Sequence, residues 1–141
     1  MKTLTTITAA VLIILSFGAF ANDETSENRL KIDNTIKTYI DAMAHGKIEG
    51  LSKILDSEAK FTSNQTSRIV THSRSEILSS VKSLKNVEQN CTTDYTILEH
   101  DAAQALIKVI LKYDGFSKVS LINIANTAEG WKITNVSSSY Q

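Results

Sequence analysis

The chain has 141 residues, 15 basic and 15 acidic side chains, and a single cysteine. A length of this order fits one domain rather than two, and one cysteine excludes an intramolecular disulfide. Even charge with no basic run excludes the electrostatic footprint of a nucleic-acid binder and the Lys/Arg clusters that hold proteins to anionic lipid.

The N-terminus reads MKTLTTITAAVLIILSFGAFA. Lys2 supplies a positive n-region, Ala9 to Leu15 is an unbroken apolar run, and Ala19-Phe20-Ala21 fits a small-x-small cleavage pattern. The apolar run is too short for a lasting span, which needs about 20 residues. Residues 1–21 are therefore expected to be a bacterial-type signal peptide, with the mature protein periplasmic or secreted and free of the membrane. Removal takes away Lys2 alone among the charged residues, leaving a net charge of −1. Residues 22–28 form a polar lead-in, expected to be flexible, and residues 29–141 the domain.

From Glu27 to Ala44 the apolar positions Leu30, Ile32, Ile36, Tyr39, Ile40 and Met43 recur at helical spacing, and Gly46 is placed to end the helix. Ile48, Leu51, Ile54 and Leu55 predict a second, short helix. Glu58 to Ser63 reads as a strand, Asn64 to Ser67 as a turn, and Arg68 to His72 as a returning strand. Ser73 and Glu76 form a capping box that opens a third helix, with Ile77, Leu78, Val81 and Leu84 inward. The period then changes from 3.6 to 2. Val87 to Leu98, Ala103 to Tyr113, Phe116 to Asn126 and Trp131 to Ser138 are predicted strands, and Asp114-Gly115 is a strong hairpin signal. The class is α+β, with helices on one face of a curved, mainly antiparallel sheet.

This order, with Tyr39-Ile40-Asp41-Ala42, Gly46-Lys47-Ile48-Glu49-Gly50-Leu51 and the closing Gly130-Trp131-Lys132-Ile133, resembles the nuclear transport factor 2-like superfamily. Within it the chain is most similar to the small bacterial lumazine-binding or polyketide-cyclase-like group. The resemblance implies a cone: three helices close one face of a bent sheet and leave a pocket. It also implies frequent homodimers through the outer sheet face. It does not fix a function, because this scaffold carries isomerases, dehydratases, cyclases, carriers and assembly domains.

Enzymes of the superfamily abstract protons with a carboxylate or histidine inside the cone. Asp94 falls on the polar alternate of its strand, away from the apolar set Cys91, Tyr95 and Ile97, and no other strand offers an inward acid. His72 is the one weak candidate for a general base; His45 and His100 read as helix-end and turn residues. Histidine spacings match no metal motif, and neither a metal nor another cofactor is expected. Cys91 reads as a small buried hydrophobe. Tyr39, Phe61, Tyr95, Tyr113 and Trp131 fall on segments around the cone, either as core or as a flat apolar pocket with phenol donors. Asn123 and Asn135 are amides in apolar strands, so each is outward or needs a partner that a ligand could supply. The candidate ligand-binding set is Tyr39, Phe61, His72, Tyr95, Tyr113, Asn123 and Trp131. The leading reading is a non-catalytic domain that binds a small apolar or aromatic molecule, or another protein. The rivals are a small isomerase, dehydratase or cyclase using a pocket histidine or acid, and an interaction or immunity-type domain with a filled cone. Leu106 and Ile110, with Val119 and Leu121 alternating against Ile122 and Ile124, put apolar residues on both sheet faces and predict a homodimer.

Overall fold

The computed structural model describes residues 25–141, so the expected signal segment lies outside the described residues. Helix α1 covers residues 25–45. It starts inside the stretch expected as a lead-in, where Glu27 and Lys31 make an i,i+4 ion pair at 2.7 Å in the orientation that favours helix. Ile32, Ile36, Tyr39 and Ile40 are buried, whereas Leu30 is 60% exposed. Two residues are about 200° of rotation, so Leu30 cannot share the stripe with Ile32.

A turn of 3₁₀ helix (Ile48–Gly50) leads into α2 (Leu51–Ile54), then β1 (Leu55–Gln65) and β2 (Arg68–Ser73). Leu55, expected on the second helix, instead begins a strand. It is buried there and lies beside Ile133 of the last strand. Helix α3 (Arg74–Val81) opens on the expected capping box. The Glu76 carboxylate accepts from the Ser73 amide at 2.7 Å, and this bond holds its pKa below the ordinary value. A 3₁₀ turn (Lys82–Leu84) follows.

Strands β3 (Thr92–His100), β4 (Gln104–Lys112), β5 (Ser117–Thr127) and β6 (Gly130–Tyr140) complete the chain. The predicted strand from Val87 begins only at Thr92. Residues before it serve another purpose: Asn86 N–H donates to the Gly46 carbonyl (2.9 Å) and Gln89 N–H to that of Ala44 (2.7 Å), fastening this segment to the end of α1.

The six strands form one sheet in the order β2-β1-β6-β5-β4-β3. All neighbours are antiparallel except β1 and β6, which run parallel. Bulges interrupt the register in β1, β3 and β6, where strands bend and twist more strongly. The inner face buries Ala105, Ile107, Val109, Leu111, Ile122, Ile124, Ile133 and Val136 under the stripe of α1. Val119 and Leu121 lie on the opposite face, Leu121 being 41% exposed.

Candidate functional site

Side chains alternate across a strand, so residues two apart share a face. On β6 that places Val136, Ser138 and Tyr140 on the inner side in succession. Register extends each of them into a row. Phe61, Val136 and Ile122 lie side by side on β1, β6 and β5. The next row is Ser63, Ser138 and Ser120, and beyond it Tyr140 faces Lys118. The inner surface thus passes from apolar, to hydroxyl, to cationic.

Over these rows lies a cavity of about 240 Å³. Tyr39 and Met43 of α1, with Ile77, Ser80 and Val81 of α3, line its helical side. His72 and Gln65 line it from β2 and β1. Three larger hollows lie toward the sheet ends: one of about 450 Å³ along β3, β4 and Asn123 of β5, one of about 610 Å³ among β1, Arg74 and the β5–β6 turn, and one of about 400 Å³ between α1 and that turn, beside Trp131.

Burial pushes the pKa of the Tyr39 hydroxyl up to about 12, with nearby Ser120 acting the other way, so the phenol keeps its proton at neutral pH. Ser120 Oγ and Ser138 Oγ are 2.8 Å apart. Ser63 Oγ is buried with no hydrogen-bond partner. Burial alone lowers the pKa of the Lys118 ammonium. Among the described residues, no carboxylate lies within ion-pair distance of Lys118. The lining contains no Asp or Glu.

Of the residues singled out from sequence, the structure brings Tyr39, Phe61 and His72 to this cavity. His72 pairs with Phe61, but its side chain is 46% exposed and stands 4.0 Å from Glu76. It is a rim residue. The others are elsewhere. Tyr95 donates to the Asp33 carboxylate at 2.9 Å, tying β3 to α1. Tyr113 stacks on Phe116 at 4.7 Å across the β4–β5 turn; burial raises its pKa, with a lesser contribution from the half-buried Cys91 beside it. Trp131 is buried near Asn34 and Thr35, with no partner for Nε1. Asn123 is exposed on the outer face, between Leu106 and Asn135, where inward Ile122 and Ile124 fix it outward and it lines the hollow of about 450 Å³. Lys118, Ser120, Ser138 and Ser63 escaped the sequence reading. The parity of Ile122 and Ile124 carries back to Ser120 and Lys118 and would have found two of them. Among the described residues, no group of three His, Cys, Asp or Glu side chains could hold a metal.

A family model described as "Putative lumazine-binding" matches residues 27–140. The chain belongs to that family. Solved structures share its fold. One is a nuclear transport factor 2-like protein of unknown function from Silicibacter pomeroyi, with TM-score 0.68, 18% identity, and coverage of 83% of this chain and 97% of that one. Another, from Shewanella baltica, has TM-score 0.63, 12% identity, and coverage of 82% and 94%. A cystatin-like fold protein from Burkholderia xenovorans has TM-score 0.62, 13% identity, and coverage of 81% and 92%. No curated sequence matches the chain.

Proposed function

We propose that this family member is an exported, non-catalytic protein that binds a small molecule in the cavity between its helices and its sheet. One observation carries the reading: the cavity of about 240 Å³ is open, lined by apolar side chains and hydroxyls, and holds no carboxylate to act as a base. Its one histidine stands at the rim. The family description names lumazine, a fused bicycle, so fused bicycles make suitable probes.

The test uses 2-naphthoate and 2-naphthamide, which share one flat body. Calorimetric titration is expected to show saturable 1:1 binding of at least one probe. Ser138→Leu directs a larger apolar side chain into the cavity and should weaken that binding at least about tenfold with the circular dichroism spectrum unchanged. Binding that ignores Ser138→Leu would locate the probe elsewhere and defeat the reading.

Export rests on the N-terminal sequence. Mass spectrometry of the exported protein should find Asn22 as the first residue, and a full-length membrane-bound species as the main product would contradict it. We also infer a homodimer through the outer sheet face, where Ile110 and Val119 are direct neighbours and Leu106 and Leu121 flank them.

A further inference from the structure

We infer that the ligand of this cavity carries an anionic group of carboxylate size, received by Lys118 together with the hydroxyls of the adjoining serine row. The inference rests on the small-molecule reading above and goes beyond it by naming the ligand's charge.

Taking an ammonium out of water is costly unless a counter-charge accompanies it. Among the described residues, none stands within ion-pair distance of Lys118. Glu76, the nearest acid in sequence to the cavity's α3 wall, is committed to the Ser73 amide at 2.7 Å. Tyr39 stays protonated and contributes no negative charge. Among the described residues, the lining has no Asp or Glu. Lys118 is thus a cation set into a half-enclosed site with its partner missing.

Ser63 adds an independent observation. Its hydroxyl is buried without a hydrogen-bond partner, and a buried polar group left unpaired in this way costs stability. Ser63 lies beside Ser138, which lies beside Ser120. Lys118 stands one step along β5 from Ser120 on the same face. A carboxylate has two oxygens and about four lone-pair sites. One oxygen on the Lys118 ammonium and the other on a serine hydroxyl would pair both orphaned groups at once. The flat body of such a ligand would then lie against Phe61, Met43 and Ile77, which line the same cavity.

The experiment compares 2-naphthoate with 2-naphthamide, equal in shape and different in charge, by calorimetry at constant pH and ionic strength. Wild type is expected to prefer the carboxylate by about 10- to 100-fold, the range for a charge-assisted hydrogen bond in a desolvated site. Lys118→Met should bring the two probes to within about threefold of each other, and Lys118→Arg should keep the preference. Lys118→Met removes an unpaired, partly buried charge, so it should melt no lower than wild type. Equal affinities in wild type, or a preference that survives Lys118→Met, would overturn the anionic inference and leave the cavity reading standing. If neither probe binds up to millimolar concentration, the cavity reading fails and the inference falls with it.

Discussion

Gly46→Ala is expected to destabilise the domain by about 3–5 kcal/mol. Gly46 has φ +69, and a Cβ there would lie 2.5 Å from Val87 N, 2.7 Å from the Leu84 carbonyl oxygen and 2.8 Å from Asn86 N. All three are backbone atoms, so no side chain can swing aside. Moving the segment would break the bonds that Asn86 and Gln89 make to the end of α1. Asn86 is itself held at φ 61, which leaves little slack. Left-handed strain of about 1–3 kcal/mol adds to a comparable overpacking cost. Gly115→Ala provides the control. Its φ is +87 but a Cβ there meets nothing within 4 Å, so only the backbone strain of about 1 kcal/mol should appear. Urea denaturation followed by circular dichroism measures both. Equal losses at the two glycines would show that the close approach at Gly46 is not what makes it costly.

Ile110→Asp is expected to convert a dimer into a monomer at micromolar concentration, weakening association by roughly three orders of magnitude. The outer face carries Ile110 directly beside Val119, Leu121 beside Lys108, and Leu106 beside Asn123. Ile110 and Leu106 are only half-buried and Leu121 is 41% exposed. Apolar residues clustered in mid-sheet are what soluble monomers tend to avoid. A twofold interface presents each residue twice, so a single substitution buries two carboxylates and doubles the desolvation cost. Sedimentation velocity reads the outcome. A wild-type monomer, or a dimer indifferent to Ile110→Asp, would mean that the apolar outer residues are simply tolerated by water.

Much of the architecture was legible because its signals are local. The capping box at Ser73 and Glu76, the helical stripe around Ile36 and Ile40, and the Asp114-Gly115 hairpin each depend on residues a few positions apart. The parallel contact between β1 and β6 depends on no local pattern, and neither did the loss of residues 87–91 from the predicted strand. That loss follows from hydrogen bonds to the distant end of α1. The site divides in the same way. Tyr39 and Phe61 sit on strongly periodic segments and were found. Trp131 and Tyr95 share the aromatic signature but pack elsewhere, since composition does not say which end of the sheet an aromatic occupies. The serine row was invisible because Ser63, Ser138 and Ser120 come together only through the register of three strands. Lys118 was overlooked for a different reason: a lysine in an alternating strand is read as solvated unless the parity of its neighbours is followed to the strand's end.

The parallel joint has a consequence for how the chain acquires its structure. Strand β6, made last of the six, occupies an interior position, with β1 and β2 on one side and β5, β4 and β3 on the other. Before residues 130–140 leave the ribosome, the sheet exists at most as two unconnected fragments, a hairpin and a meander, neither of which can enclose the core. The contacts that unite them are far apart in sequence, as when Phe61 meets Val136, and such non-local closure is slow. Completion of this sheet therefore waits on residues 130–140.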